Sequence, residues 1–337
     1  MRRIAVINQK GGVGKTTTTA NLGAALAQGG QRVLLIDLDP QAHLSLHFGV
    51  ELQDADASIY DVLASATPIR EVSRQVRENV TLIAADVDLA GAEAELVSVT
   101  GREVLLREAL EAVDADHDIL LIDCPPSLGV LTINALVAVD EIIIPLQAHF
   151  LALQGLSRLL NTVTLVRQRI NPQLVVSGIV LCMHESTTRL AGEVVDDLTG
   201  FLKTARGADT PWSDARLFST YIRRNIKLAE SASFGQTVFD YAPKSNGAAD
   251  YARLALEVKG DLPDGRADAD GHTTTSESPP GRSPENVEVD SGDNEKHSMR
   301  ETYAPPARAK VVAVESPPAS SPDISAPTVV GSVESSG

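Results

Sequence analysis

Short runs of apolar and β-branched residues recur through the first 180 positions of the chain, and stretches with helical periodicity separate them. Each run is almost unbroken, which is the pattern of a strand buried on both faces. The alternation of strands and helices favours an α/β fold, with a doubly wound, mostly parallel sheet covered by helices on both faces. The predicted strands cover residues 4–7, 33–36, 80–84, 119–122, 141–144 and 174–180, and the predicted helices residues 15–28, 103–113 and 153–169.

This pattern stops near residue 260. Residues 261–337 hold 10 of the 18 prolines and many Ser, Thr, Ala and Gly, with 14 acidic against 6 basic side chains. A segment of this composition buries too little apolar surface to offset its chain entropy. We therefore predict a folded domain over residues 1–260 and a Pro- and Ser-rich, acidic, disordered tail over residues 261–337.

Composition and charge exclude several classes of protein. Hydrophobic residues make up 43% of the 337 residues, as in ordinary globular proteins. No apolar run reaches the length of about eighteen residues that a membrane-spanning helix needs. Two cysteines, Cys124 and Cys182, are too few for a disulfide scaffold and are typical of a reducing cytoplasm. The net charge of −16 argues by itself against nucleic-acid binding, but half of that charge lies in residues 261–337.

A glycine-rich segment, KGGVGKTT, joins the first predicted strand to the first predicted helix. It matches the phosphate-binding loop G-x-x-x-x-G-K-[ST], except that Gln9 replaces the first glycine. Glycines let backbone N–H groups approach phosphates, and the helix that follows directs its positive end at the anion. Lys15 can reach the β- and γ-phosphates. The predicted nucleotide contacts are Lys10, Gly11, Gly12, Val13, Gly14, Lys15, Thr16 and Thr17.

Three aspartates stand at the ends of predicted strands, where a parallel sheet places its ligands. Asp123 ends the apolar run 119–122, which is the pattern of an aspartate that holds Mg²⁺. Asp37 and Asp39 close the second strand, and capping of the strand end is the alternative role for both. The predicted ligands of Mg²⁺ are Thr16, Asp37 and Asp123.

The loop with its additional Lys10 resembles the deviant loop of the ParA/MinD family of ATPases. Segments DCPPSLG at 123–129, IRRNIKLAES at 222–231 and APKSNGA at 242–248 are similar to the ParA/Soj branch, which partitions chromosomes and plasmids. The resemblance covers about residues 1–258. It implies a P-loop ATPase that uses ATP and Mg²⁺. It also implies that Lys10 reaches the partner's nucleotide in an ATP-bound homodimer, that Lys15 acts on its own nucleotide, and that Asp39 positions the attacking water.

The same resemblance implies contacts to the base through the main chain near Met183 and Arg223. A proline usually stands at the position of Arg223 in Soj-like proteins, so this chain departs from the pattern there. A second departure is Thr187, which stands where the family usually has a basic residue of its DNA-binding surface.

Non-specific DNA is the implied partner of a basic segment, residues 201–227, whose net charge is +4. Two patches of this kind on a dimer would make DNA binding depend on ATP and on salt. The implied setting is the cytoplasm and its nucleoid, with no membrane, and the implied second partner is a ParB-type centromere-binding protein that stimulates slow hydrolysis. The predicted DNA contacts are Arg189, Arg216, Arg224 and Lys227.

Several alternatives share parts of this sequence pattern. A MinD-like regulator uses the same loop but reaches a membrane through a basic amphipathic C-terminal helix, and residues 329–337 are neither basic nor amphipathic. An iron–sulfur reductase needs two well-placed cysteines, whereas Cys124 and Cys182 are interpreted as buried core thiols. An ATPase that positions protein clusters, and a nucleotide-gated scaffold that scarcely hydrolyses ATP, both remain open, as does the identity of the cargo.

Overall fold

A computed structural model describes residues 1–53, 56–149, 152–185 and 188–261 of the chain. The predicted tail, from residue 262 onward, and Thr187 lie outside the described residues, so the boundary between residues 260 and 261 remains a prediction. In the described part the strands are β1 Arg2–Val6, β2 Val33–Asp37, β3 Ser73–Arg77, β4 Val80–Ile83, β5 Ile119–Asp123, β6 Glu141–Gln147, β7 Val175–His184, β8 Arg216–Leu217 and β9 Ile222–Arg223.

The strands form a single sheet in the order β3-β4-β2-β5-β1-β6-β7-β8, and β9 also pairs with β7. Every pairing is parallel except that of β3 with β4 at one edge. All residues of β2 and β5 are buried, as their unbroken apolar runs predict. The predicted doubly wound, mostly parallel sheet is confirmed.

Helices cover both faces of this sheet. The helices of the described residues are α1 Lys15–Gln28, α2 His43–His47, α3 Ile59–Ser65, α4 Leu89–Leu96, α5 Leu105–Leu110, α6 Val130–Ala138, α7 Ala152–Arg169, α8 Arg189–Ala205, α9 Ile226–Ser233, α10 Val238–Tyr241 and α11 Asn246–Lys259. One core holds Leu34 and Ile36 with the apolar sides of α3 to α8, and the other holds Val33 and Leu35 with those of α1, α2 and α9 to α11. Successive residues of β2 therefore serve opposite cores, as expected for a strand.

The predicted helix 15–28 coincides with α1, which begins after Gly14 in the left-handed conformation. The predicted helix 103–113 is shorter, because α5 is followed by a 3₁₀ turn at Glu111–Val113. β7 runs four residues past the predicted end at 180, and the register of β6 with β7 carries the extension to Gln147 and Cys182. Both cysteines are free and buried, as interpreted from the sequence. Within the described residues no helix is both long and apolar enough to cross a membrane.

Candidate nucleotide-binding site

Three neighbouring strands bring the predicted site residues to one edge of the sheet. Asp37 pairs in register with Asp123, and Val6 at the end of β1 pairs with Asp123 from the other side. The glycine-rich loop follows β1 directly and leads into α1. The loop and two of the three aspartates therefore meet at the carboxyl ends of parallel strands, where such sheets bind ligands.

The loop has the backbone conformation that its glycines allow. Gly12 and Gly14 have φ angles of +72° and +92°, in the region that disfavours any other residue. A Cβ atom added to Gly11 or Gly12 would meet no atom within 4 Å, so that side of the loop is open. Thr18 N–H donates to the Gly14 carbonyl at 2.9 Å as the first bond of α1. The earlier N–H groups of the helix are thus available to an anion, which its dipole also favours.

Lys15 is the buried cation of the site. Its side chain is folded back so that Nζ donates to the carbonyl of Lys10 at 3.3 Å, and only 7% of the residue is exposed. Burial lowers the pKa of Lys15, while the carboxylates of Asp123 and Asp39 oppose that shift. A bound phosphate would supply the charge that this desolvated ammonium group lacks.

Asp123 is the buried carboxylate next to Lys15. Its Oδ2 accepts a bond from Thr16 Oγ1 at 2.6 Å, and its Oδ1 accepts from Thr19 Oγ1 at 3.3 Å. Burial, and then the neighbouring Asp37, raise the pKa of Asp123 well above its usual range. Hydroxyl and carboxylate oxygens are the ligands that Mg²⁺ prefers, and a cation would relieve the cost of burying this charge. Thr16 and Asp123 therefore fit a magnesium site.

Asp37 is committed to the protein's own backbone. Its Oδ2 accepts bonds from both N–H and Oγ of Ser45 at 2.8 Å, and its Oδ1 accepts from the N–H of Asp39 at 3.2 Å. Ser45 Oγ in turn accepts from Ala85 N–H at 3.1 Å. Burial raises the pKa of Asp37 to about 6. The capping role that the sequence left open for Asp37 is thus present, and Ser45, which sequence reasoning missed, is its partner.

Asp39 stands where the chain leaves β2 for α2. Its Oδ1 accepts a bond from Gln41 N–H at 3.0 Å, and its carbonyl accepts from Ala42 N–H at 2.9 Å. The residue is 8% exposed and close enough to Lys15 for their charges to interact. This turn fixes the Asp39 carboxylate near Lys15 of the glycine-rich loop.

Lys10 is separate from the buried cluster. Its side chain is exposed and its Nζ contacts Nε2 of His149, beyond the end of β6. Its backbone faces inward, because its carbonyl accepts the bond from Lys15. The two lysines of the loop therefore lie in different surroundings, one buried and one at the surface.

The predicted base contacts, Met183 and Arg223, lie on paired strands. His184 of β7 is in register with Arg223 of β9, which brings the two positions together. Met183 has a φ angle of +50°, an uncommon value for a residue with a side chain. Arg223 is held by Asp250 of α11, which accepts from Arg223 N–H, Nε and Nη2 at 2.6 to 3.1 Å. The partner Asp250 has no signal in a single sequence.

The predicted DNA contacts all lie between the start of α8 and the start of α9, and each has a partner. Ion pairs join Arg189 to Glu193 at 2.9 Å, Arg224 to Glu185 at 3.4 Å, and Lys227 to Glu230 at 2.8 Å.

Arg216 Nη2 donates to the carbonyl of Glu257 at 2.6 Å, and its guanidinium lies over the Phe218 ring. With Lys203 and Arg206 it lines a groove of about 500 Å³ beside α8. Arg224 and Lys227 of the basic segment are thus paired with acidic side chains, which the net charge of residues 201–227 did not predict.

A buried lysine in a glycine loop, a threonine hydroxyl and a strand-end carboxylate define a P-loop nucleoside triphosphatase. A family described as an AAA domain matches residues 1–176. The chain is 44% identical to the sporulation initiation inhibitor protein Soj of Bacillus subtilis, over 76% of this chain and 97% of that protein. It is 41% identical to the chromosome partitioning protein ParA of Myxococcus xanthus, over 78% and 89%. The chain belongs to the ParA/Soj family of chromosome-partitioning ATPases, as the resemblance in its motifs indicates.

Solved structures show the same architecture. Cobyrinic acid a,c-diamide synthase from Mycobacterium smegmatis, with a bound ATP analogue and magnesium, is 36% identical and superposes with a TM-score of 0.65, covering 78% of this chain and 97% of that one. The cell division ATPase MinD of Pyrococcus furiosus is 25% identical, with a TM-score of 0.62 over 77% and 99%. The family and the fold are thus reached independently of the site geometry.

Proposed function

We propose that the protein is a ParA-like DNA-partitioning ATPase. ATP and Mg²⁺ convert it to a sandwich dimer that binds DNA without sequence preference, and partner-stimulated hydrolysis releases it. The observation that carries this proposal is the different placement of the two loop lysines. Lys15 is buried beside Asp123, whereas Lys10 reaches outward from the same loop.

Nucleotide binding is assigned to the loop and its surroundings. The N–H groups of Gly11 to Thr17 and the Lys15 ammonium bind the phosphates, because they are the donors available at the open side of the loop. Thr16 and Asp123 hold Mg²⁺, which supplies charge neutralisation at the β- and γ-phosphates. Asp37 supports this shell by ordering Asp39 and Ser45. The backbone near Met183 and Arg223 borders the adenine.

Hydrolysis is assigned to Asp39, which orients the attacking water. A carboxylate is a weak base toward water, so basal turnover is expected to be slow. Lys10 completes the site by contacting the nucleotide of the second subunit. Lys15 is buried at the loop, whereas the Lys10 side chain is exposed and contacts His149, and this difference favours a role of Lys10 in trans.

DNA binding is assigned to Arg189, Arg216, Arg224 and Lys227. The ion pairs of Arg189, Arg224 and Lys227 with surface carboxylates weaken the patch of a single subunit, so two patches on one dimer are needed for useful affinity. We place the protein in the cytoplasm on the nucleoid, with a ParB-type centromere-binding protein as the stimulating partner. Residues 261–337 are proposed to be an acidic appendage outside the ATPase domain of residues 1–260.

The decisive experiment measures binding to two unrelated DNA duplexes with ATP and with ADP, each at two salt concentrations. The expected result is tight binding with ATP only, equal for both duplexes and weaker by at least ~10-fold at the higher salt. Lys15→Ala serves as the control that cannot bind nucleotide. Equal binding in ATP and ADP would reject the switch and favour the scaffold.

A MinD-like or cluster-positioning role shares the same site geometry. Vesicles of anionic lipid, added to the same assay, test the MinD-like alternative. Capture of the protein by lipid rather than DNA in the ATP state would favour MinD.

A further inference from the structure

His149 is in direct contact with Lys10, the outward lysine of the loop. Lys10 Nζ lies 2.5 Å from Nε2 of His149, two residues after the end of β6 at Gln147. An ammonium group has donors only, so the contact needs a neutral imidazole with its lone pair on Nε2. The hydrogen of this neutral ring then lies on Nδ1.

Both sides of this contact are held by the fold. Asn8 is largely buried, and its Nδ2 donates to the carbonyl of Pro145 in β6 at 2.7 Å. The Asn8 side-chain oxygen accepts from Lys10 N–H at 3.0 Å. The backbone of Lys10 is therefore tied to the strand that His149 follows, so the two side chains start from anchored positions.

The charges around the ring make this contact sensitive to protonation. Burial, and then the positive charge of Lys10, lower the pKa of His149, while the bond to its own backbone opposes that shift. Lys10 of the phosphate loop is a charged side chain in direct contact with the ring. Protonation would remove the acceptor and set two positive charges together, which breaks the contact.

We propose that His149 is a positioning residue that holds Lys10 on its own subunit until the ATP-bound dimer forms. The proposal rests on the proposed function, in which Lys10 contacts the partner's nucleotide. One ammonium group cannot serve the ring and a phosphate in the other subunit together, so dimerisation breaks one such contact in each subunit. His149 thereby opposes assembly at neutral pH, and its protonation favours assembly.

A first experiment tests the contact in the nucleotide-free protein, where no dimer is involved. Histidine ring signals are titrated by NMR, with His149→Ala to assign the signal. Lys10→Met removes the charge and should raise the pKa of His149 toward its ordinary value, whereas Lys244→Met, at an exposed position, should leave it unchanged. An unchanged pKa in Lys10→Met overturns the proposal.

A second experiment measures the dimer dissociation constant with a non-hydrolysable ATP analogue. At neutral pH His149→Ala should tighten the dimer by about five-fold, as expected for one exposed charged contact per subunit. His149→Gln keeps an acceptor and should match the wild type at neutral pH, but it should lose the tightening that the wild type shows as pH falls through the pKa of His149. His117→Ala is the control, because His117 bonds to the Val113 carbonyl at the opposite end of β5.

Each outcome decides a different claim. An unchanged or weaker dimer in His149→Ala overturns the holding role. Wild-type protein that stays monomeric with the analogue at every pH overturns the proposed dimer and with it the role of His149 in assembly, whereas the NMR titration still decides whether the contact exists.

Discussion

Buried ionisable side chains at the carboxyl edge of the sheet set the chemistry of this protein. Asp37 and Asp123 are fully buried side by side, and Lys15 is 7% exposed next to them. Desolvation raises the pKa of each carboxyl group and lowers that of the ammonium group, so each is unfavourable in its charged form. A polyphosphate and a divalent cation supply the missing counter-charges, and for this reason an energetically costly cluster is tolerated at this place.

Lys15→Met removes the ammonium group while keeping most of the side-chain volume. We expect ATP affinity to fall by about a hundred-fold, since a charged hydrogen bond to phosphate is lost from a buried position. Isothermal titration with ATP and Mg²⁺ checks this loss. Lys244→Met, on an exposed turn before α11, is the matched control and should bind ATP as the wild type does. Unchanged affinity in Lys15→Met would place the phosphates elsewhere.

His47 predicts a loss of stability in acid. It is 4% exposed, and its Nε2 has no hydrogen-bond partner among the described residues. Burial lowers the pKa of His47 to about 4. Between the ordinary histidine pKa and about pH 4, the unfolded chain therefore binds a proton at His47 and the folded protein does not. The stabilising contribution of neutral His47 is fully present above the ordinary histidine pKa. It is lost as pH falls toward the lowered pKa, by about 3 kcal/mol over that range.

The measurement is the free energy of unfolding in urea at several pH values between about 7 and 4. His47→Leu should flatten the decline on the acid side, because no proton uptake remains at that position. His43→Leu is the control and should keep most of the decline, since His43 is exposed and its charge is the smaller of the two causes that lower the pKa of His47. Equal slopes for His47→Leu and wild type would contradict the buried, neutral state of His47.

At the scale of elements, α2 connects the nucleotide site to the turn that follows α9. Its middle residue, Ser45, is held at the nucleotide site, because its N–H and hydroxyl both donate to Asp37. Its end meets the turn after α9, where Gly49 and Gly235 approach each other backbone to backbone. A conformational change at Asp37 and Asp39 can therefore be transmitted through α2 to the surface around α9.

Gly235→Ala tests the close approach of Gly235 to Gly49. Its φ angle is +62°, and a Cβ atom there would lie 2.8 Å from the Cα of Gly49, a clash with backbone that cannot move aside cheaply. We expect it to destabilise the fold by about 2 kcal/mol more than Gly207→Ala. Gly207 is the matched control, with a φ angle of +79° and open space around it. Thermal unfolding of both variants checks the difference, and equal melting temperatures would contradict it.

At the scale of the whole molecule, charge distribution matters more than net charge. The chain carries −16, yet residues 261–337 contribute 14 acidic and 6 basic side chains to that value. Three of the four predicted DNA contacts, Arg189, Arg224 and Lys227, form ion pairs with glutamates of the described residues. A single subunit therefore presents a weak field to DNA, and doubling the patch or removing acidic chain should strengthen it.

A chain that ends at residue 261 should keep its ATPase domain and bind DNA better. Removing residues 262–337 changes the net charge from −16 to −9. We expect the melting temperature and ATP affinity to stay unchanged, and DNA affinity in ATP to rise by about three-fold at low salt, because long-range repulsion is reduced. Fluorescence anisotropy with labelled DNA checks the gain, and a loss of ATP binding on truncation would move the domain boundary beyond residue 261.

Sequence alone determined the features that depend on local backbone chemistry. The glycine spacing and the helical period predicted the loop and the bounds of α1, and unbroken apolar runs predicted the buried parallel strands with Asp37 and Asp123 at their ends. Each of these follows from residues that are neighbours along the chain, so the pattern contains the information needed.

Only the tertiary structure decided which side chains meet across the fold. Ser45 binds Asp37, Asp250 holds Arg223, and His149 contacts Lys10, and these pairs are 8, 27 and 139 residues apart. The antiparallel edge strand β3 and the carboxylate partners of the basic segment were likewise missed. A hydrogen bond or an ion pair depends on distances of a few ångströms between segments, and those distances exist only once the sheet has set the order of its strands.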